Sequence, residues 1–207
     1  MTRTPFRLLV LGDSIAYGTG ALRAEDTLGR RLSAELTADG FDVELQVVAV
    51  PGAVSADLAA QVRRAEPFDA DLAVVVIGAN DLARFLPPEQ AAAALAAAVT
   101  ALRARGTEVV AVPAPDMSMV PFVPPAFRSL VRAACAQLQR RQTAVVEAAG
   151  GSVAGVAAEV AGAFVADPAM FSADRFHPSS AGYARIAAAL TPSVLAAARA
   201  RRDEAAA

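Results

Sequence analysis

The chain has no lysine: all 19 basic residues are arginine. That absence excludes Schiff-base catalysis, lysine-anchored phosphate loops and receiver-type sites that need a lysine ammonium. There is one cysteine (Cys135) and one histidine (His177), so no intramolecular disulfide and no His/Cys zinc cluster can form. Cys135 falls in an alanine-rich helical pattern and is expected to be a small buried hydrophobe. Charge is also scarce, at 19% of residues with a net of −2, which argues against a general nucleic-acid binder. No 18-residue apolar run free of charge is present, so no membrane span is predicted. The apolar run Leu8–Leu11 beside Arg7 is too short for a secretory signal and reads as a first buried strand; the default location is the cytoplasm.

What remains is 207 residues with 55% hydrophobic side chains, enough for a single domain over residues 1–207 that holds its core without disulfide or metal. Strand-like stretches at Arg7–Leu11, Val43–Val50, Leu72–Ile77 and Glu108–Val112 are rich in β-branched or long apolar residues, with a weaker one at Ser152–Val156. Helical patterns lie between and after them at Asp26–Ala38, Ser55–Arg64, Glu89–Arg105, Ala126–Ala149 and Pro178–Ala200. Ser55 is predicted as an N-cap, Gly40 and Gly106 as stops, and the charged tail from Arg199 as a frayed helix end. Alternation of this kind means βαβ units, hence an α/β fold whose parallel sheet is covered by helices on both faces.

Polar residues of rare type gather where strands end. The first strand runs into Gly12-Asp13-Ser14, the second into Pro51-Gly52-Ala53, and the third into Gly78-Ala79-Asn80-Asp81, which holds the chain's only asparagine. Carboxyl ends of parallel strands are where ligands bind in such sheets. Each segment alone is compatible with an ordinary βα turn, since serine and asparagine cap helices and turns. The sole histidine stands in Asp174-Arg175-Phe176-His177-Pro178. A turn before a helix can bring residues i and i+3 to one side, so that Asp174 accepts from the imidazole Nδ1 and leaves Nε2 facing outward. Pro178 suits the first helical position.

In combination these segments resemble the GDSL or SGNH esterases and lipases, whose four motif positions are filled in order by Ser14, Gly52, Asn80 and His177. The resemblance runs from residue 12 to 178 and continues in Ala181-Gly182-Tyr183. It implies a flavodoxin-like three-layer α/β/α sandwich, the SGNH hydrolase fold, with a mostly parallel five-stranded sheet in the order 2-1-3-4-5. It implies that Ser14 is the nucleophile, His177 the general base and then acid, and Asp174 the residue that orients the imidazole. The oxyanion donors it implies are the backbone N–H groups of Ser14 and Gly52 and the side-chain amide of Asn80. Such parts are what acyl transfer demands, because a hydroxyl needs a base and a tetrahedral oxyanion needs prepositioned donors. The expected activity is hydrolysis of short-to-medium acyl esters, a small-molecule substrate class that needs no cofactor and no metal. Transfer of the acyl group to another alcohol, deacetylation with the same triad, and a non-catalytic binding module are the alternatives.

Pro113–Phe127 is the one long irregular stretch, with five prolines between Pro113 and Pro125 among several apolar residues. Following the fourth strand, it emerges at the same sheet edge as Ser14, Gly52 and Asn80. Met119 and Phe122 are the candidate substrate-binding residues, forming an apolar lip beside the acyl group; a loop packed on its own helices is the structural alternative. Arg175, inside the Asp-x-x-His element, is expected to face solvent.

Overall fold

The computed structural model describes residues 5–155 and 157–206. Five strands, β1 (Phe6–Gly12), β2 (Val43–Val47), β3 (Leu72–Val76), β4 (Glu108–Val112) and β5 (Ser152–Val153), form one sheet in the order β2-β1-β3-β4-β5. Every pairing is parallel, in registers such as Leu8↔Leu45, Leu9↔Ala73, Val74↔Val110 and Ala111↔Val153. The helices among the described residues are α1 (Ser14–Tyr17), α2 (Leu28–Ala38), α3 (Leu58–Ala65), α4 (Ala79–Ala83), α5 (Pro88–Arg103), α6 (Arg128–Ala148), α7 (Ala157–Ala166) and α8 (Ser180–Ala206).

Alternation of side chains along each strand splits the core into two layers. Leu8, Val10, Leu72, Val74 and Val110 point one way, onto Leu28, Leu32 and Leu36 of α2 and Tyr183, Leu190 and Val194 of α8. Leu9, Leu11, Ala73, Val75 and Val109 point the other way, onto α3, α5 and Val146 of α6. The central strand β3 is buried along its whole length, as its unbroken Leu-Ala-Val-Val-Val run requires. The fold is therefore the three-layer α/β/α sandwich, in the strand order expected.

Differences from the sequence expectation have local causes. Strand β2 ends at Val47, although the Val48 and Val50 N–H groups still donate to Val10 and Gly12 carbonyls. Ser55 caps no helix. It is buried in a 3₁₀ turn, Ser55–Asp57, and its hydroxyl donates to Asp81, while the α-helix begins only at Leu58. Pro178 lies outside α8, which starts at Ser180 with the Ser179 hydroxyl accepting from the Gly182 N–H. The tail from Arg199 is helical through Ala206, because Arg199 pairs with Asp39, Arg201 with Asp71, and Arg202 stacks over Phe41. Val156, the expected end of the fifth strand, lies outside the described residues. Cys135 is buried in α6, where its sulfur accepts from the Met117 N–H at 3.4 Å.

Candidate active site

The carboxyl ends of β1, β2 and β3 and the loop before α8 converge on one point. Strand β1 stops at Gly12, whose backbone adopts φ +133°; a Cβ there would collide with the Val76 carbonyl oxygen, so only glycine lets β1 and β3 approach at this turn. The buried Gln61 side chain holds the same residue with a reciprocal pair, accepting from the Gly12 N–H and donating to its carbonyl, both at 2.8 Å. Asp13 then caps α1 by accepting from the Ile15 N–H at 2.9 Å, and Ser14 is the first residue of that helix. A second buried glutamine, Gln142, bridges the chain after β3 to the chain after β4, donating to Ile77 and accepting from Ala114.

The histidine arrives on a tight loop. The Ser172 N–H donates to the His177 carbonyl, the Ser179 N–H to that of Met170, and Phe171 bridges Pro178 antiparallel. Arg175 takes the left-handed conformation, φ 55°, at the tip and is exposed. Within this loop Asp174 Oδ1 accepts from the Ser172 hydroxyl and from the N–H groups of Phe176 and His177. Its Oδ2 lies 2.6 Å from His177 Nδ1, and His177 Nε2 lies 3.0 Å from the Ser14 hydroxyl. The Phe176 ring packs edge-on against the imidazole at 4.9 Å. Partial desolvation, the largest single influence on Asp174, raises its pKa. The hydrogen bonds from His177, Ser172 and Phe176 together outweigh it and hold the carboxyl well below the usual carboxylate range.

Helix α4 and the residue after it grip the loop that carries Gly52. Asn80 donates to the Ala53 carbonyl at 3.0 Å, Arg84 donates to the Gly52 carbonyl at 2.8 Å, and Asp81 accepts from both the N–H and the hydroxyl of Ser55. Gly52 itself has φ +82°. Among the described residues neither the Ser14 nor the Gly52 N–H has a protein acceptor, and the Asn80 amide keeps a second N–H beyond the one given to Ala53. Ser14, Gly52 and Asn80 thus belong to one cluster of structure, with donors to spare. Burial raises the pKa of Asp81, against the hydrogen bonds from Ser55. Burial likewise pushes the Asp13 carboxyl up to about 6, opposed by the Ile15 N–H and by His177; its second oxygen, Oδ2, is buried without a partner.

Beside Ser14 and His177 opens a cavity of about 460 Å³, lined mostly by apolar side chains from β3, β4, β5, α7, α8 and the segment after β4. The segment after β4 contributes Pro113, Pro115, Asp116, Met117 and Val120. Phe122 does not line the cavity: it sits beyond the inward turn at Val120 and is 65% exposed. The Met119 side chain lies outside the described residues. The wall opposite comes from α7, through Val160, Ala161 and Phe164. Sequence reasoning missed that wall, along with Gln61, Gln142 and Arg84. The one available signal was a glutamine inside an apolar helical stripe: Gln61 recurs with Leu58, Val62 and Ala65 at the spacing of a buried face.

The model of the GDSL-like lipase/acylhydrolase family matches residues 10–185. The chain is 38% identical over 183 residues to the GDSL-like esterase Rv1075c of Mycobacterium tuberculosis. That match takes in 86% of this chain and 58% of the relative, so the chain spans less than two thirds of that protein's length. Among solved structures it is similar to TesA, with a TM-score of 0.77 and 24% identity over 92% of this chain and 99% of that one. It is also similar to Axe2, an acetylxylan esterase from Geobacillus stearothermophilus, with a TM-score of 0.75 and 18% identity over 93% of this chain and 96% of that one. The family model takes in most of the chain, and the chain belongs to the GDSL-like lipase/acylhydrolase family.

Proposed function

We propose that the protein is a serine ester hydrolase in which Ser14 attacks the ester carbonyl. The observation that carries this reading is the unbroken chain from the Ser14 hydroxyl to His177 Nε2 (3.0 Å) and from His177 Nδ1 to Asp174 (2.6 Å) at the rim of an apolar cavity. Neutral His177 takes the hydroxyl proton as the Ser14 oxygen bonds to the carbonyl carbon. Asp174, held ionised by its hydrogen bonds, fixes the tautomer with Nδ1–H and stabilises the imidazolium that forms. The oxyanion receives the Ser14 and Gly52 N–H groups and the free N–H of Asn80, each donor worth on the order of 100-fold in rate in comparable sites. His177 then protonates the leaving alcohol as its bond to carbon breaks, giving acyl-Ser14. Water, losing a proton to His177, attacks that ester, and the collapse returns the proton to the Ser14 oxygen and releases the acid.

The acyl side is the cavity, and its lining favours uncharged short-to-medium chains. No cofactor or metal takes part in this chemistry. The name of the mycobacterial relative is consistent with it. The test is labelling with a fluorophosphonate probe together with hydrolysis of p-nitrophenyl esters. Labelling at Ser14, lost in Ser14→Ala along with turnover, is the expected result. A protein that folds but neither labels nor hydrolyses any ester overturns the reading.

A further inference from the structure

The cavity has a direction, and the strand ends measure it. Its lining takes Ser14 after β1, then Val76 at the end of β3, Val112 at the end of β4 and Ala154 just after β5, the last three on one face of the sheet, so that it crosses four adjacent strands. Parallel neighbours stand about 4.8 Å apart, so three steps span about 14 Å. An extended hydrocarbon chain advances roughly 1.25 Å per carbon–carbon bond, which fits about eleven bonds into that span. Volume gives a compatible ceiling. With a methylene taking about the 30 Å³ of a water molecule, 460 Å³ holds at most about fifteen such units, the ester group at the rim included.

Away from the Ser14–His177 pair and Asn80, two of the three polar side chains in the lining, Gln139 and Asp116, are engaged by the protein, and Thr143 is the third. Gln139 donates to the Ala114 carbonyl at 2.7 Å, and Asp116 accepts from the Ser118 N–H and pairs with Arg132. A sugar or a dicarboxylate placed there would lose its hydration without equivalent partners. The width is set by an aromatic wall. Phe164 of α7 packs edge-on against Phe171 at 5.0 Å and leans on α8 where Gly182 leaves room, a Cβ at that glycine falling 2.9 Å from the Phe164 ring.

We infer that this cavity is a ruler for an unbranched medium-length acyl chain of about eight to twelve carbons, lying across the ends of β1, β3, β4 and β5, with Ala154 and Val160 setting the length at the far end. The inference rests on Ser14 as the nucleophile, and it goes beyond that reading by naming the chain, its path and the residues that limit it. Each methylene that enters the cavity adds up to about four-fold in binding. The carbons added by Ala154→Leu (three) and by Val160→Phe (four) fill the far end and should shorten the accepted chain by about three to four carbons.

The experiment is a profile of kcat/KM over p-nitrophenyl esters from acetyl to palmitoyl, in the unsubstituted chain and in Ala154→Leu and Val160→Phe, the first just after β5 and the second on α7. The expected result is a maximum between octanoyl and dodecanoyl, with the decanoyl-to-butanoyl ratio at least ten-fold lower in either variant. In parallel, decanoate but not acetate should raise the melting temperature of Ser14→Ala protein, and Val160→Phe added to that background should remove the effect. A maximum at acetyl or butanoyl, or no thermal shift with decanoate, overturns the ruler even where fluorophosphonate labelling of Ser14 upholds the hydrolase. Decanoate binding without any labelling or turnover would overturn the hydrolase, and with it the ruler's role in catalysis, leaving only a fatty-acid-binding cavity.

Discussion

Asp13 stands immediately before the candidate nucleophile, 1% exposed, with one carboxylate oxygen on the Ile15 N–H and the other without a partner. Burial pushes its pKa from the ordinary 3.8 up to about 6, so the folded protein holds the proton more tightly than the unfolded chain does. A raised carboxyl stabilises the fold where it is protonated, below about pH 4. That contribution is lost as the pH rises through about 6. At 1.36 kcal/mol per pH unit, the ionised Asp13 costs about 3 kcal/mol above pH 7 relative to the fully protonated protein below about pH 3.

Asp13→Asn removes the titration and keeps the shape. Its amide oxygen can still accept from the Ile15 N–H, while its NH₂ takes the place of the unpartnered oxygen. An unsatisfied amide N–H₂ carries its own penalty of about 1–3 kcal/mol, but that penalty is the same at every pH. The comparison that isolates the effect is therefore a double difference: urea unfolding of Asp13→Asn and of the parent, each at pH 4.5 and at pH 8. Asp13→Asn should gain about 2 kcal/mol on the parent between the two pH values, or about 4–8 °C in melting temperature for a chain of this size. A difference between the proteins that stays constant from pH 4.5 to 8 would refute a protonated, desolvated Asp13.

Three further outcomes are expected. Ser14→Ala and His177→Ala should each abolish most ester turnover, and Asp174→Asn should lower kcat by up to about 10⁴-fold; retention of over half the activity in His177→Ala would rule out a histidine base, as no second histidine exists to replace it. Asp81→Ala should cost about 2–4 kcal/mol in urea unfolding, because the buried Ser55 N–H and hydroxyl lose their shared acceptor, and it should cut turnover by loosening the Gly52 loop; Arg84→Ala, which loses one exposed hydrogen bond to the same loop, should cost less than 1 kcal/mol in the same measurement. Gly12→Ala should destabilise by about 3 kcal/mol or more in chemical unfolding, since its Cβ meets the β3 carbonyl and its φ is closed to other residues.

The sheet was legible because its strands are buried on both faces and therefore continuous in apolar residues: β3 and β4 appear in the sequence almost at their observed bounds. The long helices were legible from their alanine content and period. The short ones were not. Helices α1 and α4 have four and five residues, too few for a periodic signal, and they exist because a cap or a glycine turn starts them at a strand end: Asp13 accepts from the Ile15 N–H before α1, and Gly78 turns the chain before α4. Ser55 was misjudged for a related reason. A serine before an apolar period suits a cap, and only the tertiary neighbour Asp81, 26 residues on, draws its hydroxyl away.

The same division runs through the site. Bond chemistry draws on residue types that are rare in this chain, and rarity makes them stand out: one histidine and one asparagine occur in the whole sequence. Substrate fit draws on valine, alanine and phenylalanine, which are everywhere. Helix α7 has the sequence Ala-Ala-Glu-Val-Ala-Gly-Ala-Phe-Val-Ala, with no polar face to define a period. Without that helix, the only irregular apolar segment at the right edge of the sheet was Pro113–Phe127, and the acyl contacts fell to Met119 and Phe122. With it, the cavity closes through Val160, Ala161 and Phe164, and the segment completes the near side through Pro113, Pro115, Asp116, Met117 and Val120. Phe122, left outside, gains nothing from a longer acyl chain. Phe122→Ser should then leave the decanoyl-to-butanoyl ratio as it is in the parent, while Val160→Phe lowers it at least ten-fold, by excluding methylenes worth up to about four-fold each. If Phe122→Ser moved the ratio and Val160→Phe did not, the chain would lie along the outer lip, and the path beneath α7 would be wrong.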